Sequence, residues 1–493
     1  MFKKIKIQLV LVLFTCALMS SCLEDVGNYE YTEINEIEFG GIEETYTVNR
    51  FYNFNITPKL VSSLGEDNED AYTYKWQAYG ADGSGGNKLT TLSLEKNLLT
   101  PANLLPGEHT IFYTVQDLNT GVEFQQSFVV TIVNTIYEGW LVLSDINGEG
   151  RLDMVPLFEG EFKVRTDILD LLDSELTLTG TPKFVYTYPY DSDFYGVYVS
   201  TTGNGTNKLE PDTFEWNKSY NISGEFVSSQ PEDLEVDNIL GKGSKMSYAV
   251  VDGDVYYYFG LFGWLYSAPI NSIDGVLFEA STLIGKGNFW GNSILYDNTN
   301  KRFVRTNFGN TSVMPTGTRF NYTTGKDLEY MVGNDFNTTT TNTAGTQIFA
   351  ILRDPANSKK YLALFNATTS AQTYYAEVLA TDFDQATSYA VSPNYGYLFY
   401  AVGGKVYQYD YSLKTTKLMI DKGSEEITLI KFNDFFNSTT VYDELEHQLI
   451  VCSYDGTEGT MELYDVPPVN GQIVLQATYS GFGKIKSIDY RER

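Results

Sequence analysis

The chain has 493 residues, with 34 Lys and Arg against 63 Asp and Glu, a formal charge of −29, two histidines and three cysteines. Nucleic-acid binding rests on clustered Lys and Arg that displace counterions, so this balance and the lack of a basic stripe exclude phosphate-rich partners. With so few histidines and cysteines, a two-histidine metal site and a Ser-His-Asp triad are poorly supported, and no cofactor is implied.

The chain opens with Lys3, Lys4 and Lys6, and residues 7–19 are an almost unbroken apolar run. That length suits a signal-peptide core and falls short of the roughly 20 apolar residues of a membrane-spanning helix. The run ends in Leu18-Met19-Ser20-Ser21-Cys22, where small residues expose the backbone to a peptidase and leave a thiol for acylation. This resembles the lipobox of bacterial lipoproteins, with Met19 in the usual apolar place and Leu18 one residue further out. Cleavage before Cys22 removes the three lysines and no acids, which takes the charge from −29 to −32. Glu24 and Asp25 follow, and an acidic pair there resembles the export signal of Bacteroidota lipoproteins for the outer face of the outer membrane. Residues 1–21 are thus read as signal and 22–35 as lipidated tether, with lipid on Cys22 as the membrane attachment. Cys16 leaves with the signal, and Cys452 in the apolar stretch 448–452 is expected to be a small core residue.

Tyr, Phe, Thr, Val and Gly are abundant, so the chain reads as all-β. Residues 36–135 carry strand patterns at 45–48, 52–58, 72–79, 109–116 and 123–133, spaced as in a small β-sandwich. Trp76 stands where an immunoglobulin-like fold places its core tryptophan, and residues 105–117 resemble the turn and late strand of polycystic-kidney-disease-like (PKD-like) domains. His109 lies in that strand, isolated, and is read as structural.

From residue 136 to 493 the chain repeats an apolar strand, a polar turn and a second apolar strand. Turns are expected at Asp145, Asp191, Asp252, Asp297, Asp354, Pro393 and Asp443, spaced 39 to 61 residues apart; the last is the stretch Asp443-Glu444-Leu445-Glu446. A four-stranded propeller blade takes about 40–50 residues. The spacing predicts a seven-bladed β-propeller, whose radial packing buries both faces of every sheet. A short helix is expected within 166–176.

Two tryptophans are candidate ligand platforms. Trp264 lies in a strand pattern that favours a core position, and Trp290 lies in a glycine-flanked stretch just ahead of a strand, where propellers expose loops. The paired acids Asp191 with Asp193 and Asp252 with Asp254 read as turn formers. Glycoside hydrolysis would need two carboxyls about 5–10 Å apart across a cleft, which hairpin neighbours do not establish.

A lipobox with an acidic pair, the Trp76 and 105–117 patterns and a propeller-length repeat together resemble the PKD-like lipoproteins of Bacteroidota. The resemblance implies a surface accessory of a Sus-like uptake system, beside a TonB-dependent transporter and its binding lipoprotein, that captures or passes on an oligopeptide or glycan. It carries over no active-site residues. With no nucleophile constellation in the sequence, a non-catalytic binding or scaffold role is expected. The competing expectation is a propeller enzyme, a glycoside hydrolase or lyase acting on a polysaccharide.

Overall fold

Alternating β-branched and aromatic residues, broken by Gly, Asn and Asp, make nearly every regular element a strand. The computed structural model describes residues 35–493 except 65–68, 82–85, 189–195, 212, 244, 261–262, 264, 289, 335, 337–345 and 437–438. It divides into two units, Met1–Val133 and Asn134–Arg493.

In the first unit a five-stranded sheet runs Thr45–Asn49, Glu123–Val133, Gly107–Asp117, Tyr72–Ala81, Asn87–Ser93, and only its first pair is parallel. Two antiparallel ribbons, Ile37–Gly40 with Lys59–Ser62 and Asn53–Ile56 with Leu98–Pro101, complete it. Successive side chains on a strand point to opposite faces, so Trp76 with Ala78, and Ile111 with Tyr113 and Val115, share one buried face with Phe54, Ile56 and Leu98 of the ribbon. Trp76 is wholly buried, stacks on Tyr113 at 4.0 Å and donates its indole N–H to the Glu95 carbonyl at 2.9 Å. His109 is buried with Nε2 2.7 Å from the Leu105 carbonyl. A Cβ on Gly80 would stand 2.0 Å from its Nδ1, so the glycine makes room for the ring, which acts as a structural strut.

The second unit holds seven sheets of three or four strands among the described residues. Sheet 1 runs Glu161–Phe162, Glu149–Phe158, Gly139–Ile146, Lys484–Arg491; sheet 2 Pro182–Tyr188, Gly196–Thr201, Gly205–Leu209; sheet 3 Asn238–Gly241, Met246–Val251, Asp254–Phe259. Sheet 4 is Ser293–Asp297, Arg302–Asn307, Asn310–Val313, and sheet 5 is Asp327–Asn334, Gln347–Arg353, Lys360–Asn366, Gln372–Glu377. Sheet 6 is Ser388–Val391, Leu398–Val402, Lys405–Asp410, Thr415–Asp421, and sheet 7 is Glu426–Lys431, Gln448–Tyr454, Gly459–Asp465, Val474–Phe482.

Their central strands are apolar on both faces because each face meets a different neighbour. Ile348, Ala350 and Leu352 pack with Ile294 and Tyr296 of sheet 4, while the alternate residues Phe349 and Ile351 pack with Tyr389 and Leu398 of sheet 6. In the same way Leu449 and Val451 meet Phe399 of sheet 6, and Ile450 and Cys452 meet Trp140 of sheet 1. Sheet 3 splits likewise, Tyr248 toward Leu295 and Ala249 toward Tyr188 and Tyr198. Between sheets 1 and 2, Thr187 donates its backbone N–H to Asp489 Oδ2 at 2.6 Å. The unit is propeller-like, and its first sheet joins the two ends of the unit, Gly139 pairing with Arg491.

At three hairpins an acid bonds the turn backbone: Asp145 accepts from the Gly148 N–H at 2.7 Å, Asp297 from Asn300 at 2.9 Å and Asp354 from Ala356 at 3.0 Å. Asp252 takes a turn position at φ +49°, but Asp254 accepts from Asn271 Nδ2 at 3.2 Å, away from the turn. Asp191 and Asp193 lie outside the described residues. The expected turn at Asp443 is corrected: Thr440–Glu446 is a helix, capped by Thr439 Oγ1 on the Tyr442 N–H at 3.3 Å, with Tyr442 and Leu445 buried. A capping threonine and two apolar residues three apart outweigh the acidic, turn-like composition. The hairpin turn of that sheet falls at Asp455, which accepts from the Thr457 and Glu458 N–H groups at 2.7 Å each. The helix expected within 166–176 shrinks to the single turn Ile168–Leu171.

Candidate functional site

The first strands of sheets 5, 6 and 7 end around a cavity of about 640 Å³. Its wall takes Tyr330 and Asn334 from sheet 5, Tyr389 from sheet 6 and Lys431 from sheet 7, and Lys286 with Asn288 come from the approach to sheet 4. The segment 432–436, which leaves sheet 7, also lines a second cavity of about 260 Å³ that sheets 1, 2 and 3 wall. Four residues, Lys431, Phe432, Asp434 and Phe436, border both. Asp434 is ion-paired with Lys286, whose ammonium sits 4.9 Å from the centre of the Phe436 ring. Phe436 meets Tyr188 edge-on at 5.3 Å, and its N–H donates to Glu492 Oε1 at 2.8 Å. This segment is therefore pinned to sheets on several sides of the cavity.

The charges of the wall are matched from within. Glu329 accepts from Arg353 Nε at 3.1 Å, from Lys360 Nζ at 2.9 Å and from the Tyr389 hydroxyl at 3.0 Å. Burial first, and then the Glu329 carboxylate, hold the Tyr389 phenol well above its ordinary value, so it stays a neutral donor. Lys431 donates to the Ile488 carbonyl at 2.8 Å and lies 3.8 Å from Asp489. Burial raises the Asp489 carboxyl, opposed by Lys431 and by the Thr187 hydrogen bonds.

Two amides of the wall have polar atoms left over. Asn334 Oδ1 accepts the Phe336 N–H at 3.1 Å, and its Nδ2 has no hydrogen-bond partner among the described residues. Asn433, only 3% exposed, has its Oδ1 in the same condition.

Cys452 is wholly buried and burial pushes its thiol up. His447 ends the helix Thr440–Glu446, and burial pushes its imidazole down against the opposing pull of Asp443. Among the described residues no three His, Cys, Asp or Glu side chains cluster to hold a metal ion, and no helix is long and apolar enough to cross a membrane.

Of the residues singled out in the sequence, Cys22 and Trp264 lie outside the described residues. Trp290 is 63% exposed and leans on Phe308 at 5.9 Å between ring centres. It is not in the cavity wall, although Gly287 and Asn288 of the same stretch are. The wall residues escaped notice because they belong to separate sheets, with some 40 to 60 residues between one contributing segment and the next; only the Asn-Gly-rich stretch ahead of sheet 4 carried a readable signal.

Beside Trp290, the Gly291 carbonyl accepts from Lys242 Nζ at 2.5 Å. Lys242 is wholly buried, and desolvation lowers its pKa from the ordinary 10.5 to about 8. The unfolded chain then binds more protons between those values, so the unfolding free energy climbs with pH across that window and levels above it. The protonated form costs the fold about 3 kcal/mol below pH 8. Lys242→Met is expected to flatten this climb, which urea unfolding of both proteins from pH 7 to pH 10.5 would measure.

Residues 22–180 match the model of the PKD-like family, a stretch that runs through the first unit into sheet 1 and its following segment. No curated protein matches the chain. Among solved structures, a quinonprotein alcohol dehydrogenase-like protein from Bacteroides thetaiotaomicron is similar at 10% identity and TM-score 0.51, over 93% of this chain and 100% of that one. The Cps50 (Swd1) β-propeller domain of Myceliophteria thermophila is similar at 9% identity and TM-score 0.34, over 58% of this chain and 83% of that one. At such identity the first of these is a likeness of fold alone.

Proposed function

We propose that the chain is a lipoprotein displayed on the outer surface, whose propeller unit holds an oligopeptide or glycan for a TonB-dependent, Sus-like uptake complex without transforming it. Residues 22–35 form the tether from lipid on Cys22, residues 36–135 a PKD-like sandwich and residues 136–493 a seven-bladed propeller. The observation that carries the binding role is the cavity of about 640 Å³ among the first strands of sheets 5, 6 and 7, a size that suits a small-ligand site. Its carboxylate Glu329 is engaged by two cations and a phenol, an arrangement suited to holding shape rather than to moving protons. The neighbour-to-neighbour packing of seven sheets favours seven blades. The lipobox and the family match that begins at residue 22 favour the anchor and the surface setting.

Native membranes solubilised in mild detergent are expected to yield the chain together with an outer-membrane transporter, and Cys22→Ser should leave the protein in the soluble fraction. Purification without any transporter partner would remove the uptake-complex role, and membrane retention of Cys22→Ser would remove the lipid anchor.

A further inference from the structure

We propose that the outer face of the five-stranded sheet in the first unit is a self-association surface, on which a second copy of this chain packs the same face. This goes beyond ligand capture and does not depend on it.

Side chains alternate between the two faces of a strand. Trp76, Ile111 and Val130 turn to the core, so the residues between them turn outward, and the pairing register lays these side by side. One row across four strands reads Leu89, Tyr79, Thr110, Val129. The next reads Thr91, Gln77, Phe112, Ser127. Tyr79 is 46% exposed and Leu89 54% exposed, and Phe112 and Val129 are half-buried. Neither row holds a charge, in a chain of which 20% of residues are charged. Lys75, Glu108 and Glu123 lie on the same face beyond the two rows. Aromatic and aliphatic side chains at the centre, with polar neutral ones around them and charge kept to the edge, are the anatomy of a protein interface.

The charge pattern selects the occupant. Two copies, each at −29, repel wherever their acidic surfaces meet, and these rows let a second copy approach without setting like charges together. A partner of opposite charge would gain nothing from rows that offer none. Two sheets stack face to face about 10 Å apart, and a two-fold axis makes one face its own complement. Five strands about 4.8 Å apart, over some eight residues of about 3.3 Å rise, give a face of about 600 Å². Two such faces bury about 1,200 Å² in all, at the lower end of the range for specific complexes.

Sedimentation velocity of the purified full chain from about 1 to about 100 μM is the test. A reversible dimer that dissociates on dilution is expected. Tyr79→Glu and Leu89→Glu each place a carboxylate in the central row, where the two copies would then bring like charges together, and each is expected to raise the dimer dissociation constant about tenfold or more. Both positions are exposed, so the thermal midpoint should stay with that of the parent and serves as the control for folding. Leu99→Glu, at a position 71% exposed on the ribbon across the core, should leave the dimer intact. A chain that stays monomeric throughout would overturn the inference, as would a dimer that tolerates both face substitutions. A monomeric parent whose co-purifying transporter is lost in Tyr79→Glu or Leu89→Glu would assign the face to a different protein and equally overturn it.

Discussion

Removal of residues 484–493 is expected to abolish the cooperative unfolding of the second unit. The strand Lys484–Arg491 comes from the far end of the chain and pairs with Gly139–Ile146 along its length. Ile485, Ile488 and Tyr490 are buried to within 1%, and Tyr490 meets Trp140 edge-on at 4.8 Å. Burial of each such side chain stabilises by roughly 1.5–3 kcal/mol, so the three together contribute on the order of 5–9 kcal/mol, as much as many whole domains possess. Polar losses add to this. Arg491 Nη1 donates to the Ile136 carbonyl at 2.9 Å, and Asp489 accepts from both the N–H and the hydroxyl of Thr187. Near-UV circular dichroism and urea titration of the truncated chain would show the loss. Ile488→Asp, a full-length companion, is expected to lower the urea midpoint steeply by placing a charge in the same core. A truncated chain that still unfolds in one sharp transition at the original midpoint would mean that the terminal strand is dispensable.

The second large effect is expected at Trp76→Ala, a loss of about 3–5 kcal/mol confined to the first unit. The indole fills the core between Tyr113 at 4.0 Å and Phe128 at 6.4 Å, and its N–H satisfies the Glu95 carbonyl. Truncation leaves a cavity and an unmatched carbonyl together. Amide exchange measured by mass spectrometry on the full chain should accelerate in Tyr72–Ala81 and Gly107–Asp117, with peptides from Asn134–Arg493 unchanged. Trp76→Phe keeps a ring against Tyr113 but loses the donor and part of the indole's volume, so a smaller loss of about 1–3 kcal/mol is expected. Equal acceleration in both units would contradict the division between them.

Local chemistry was well written in the sequence. Asp, Asn, Gly and Pro between apolar runs marked hairpins at Asp145, Asp252, Asp297 and Asp354, and at Asp145, Asp297 and Asp354 the short polar side chain bonds the local backbone. The all-β class followed from composition for the same local reason. Where composition and capping disagreed, at Thr440–Glu446, the acids suggested a turn and Thr439 made a helix.

What the sequence determined by itself, then, is the β class, most hairpin turns and the core role of Trp76, all matters of residues close together in the chain. The tertiary structure alone decided the pairing of Gly139 with Arg491, the division of each central strand between two neighbouring cores, and the convergence of Asn334, Tyr389 and Asn433 on one cavity. Those contacts join residues separated by up to some 350 positions. No local propensity encodes them; they exist because each sheet must cover both of its apolar faces.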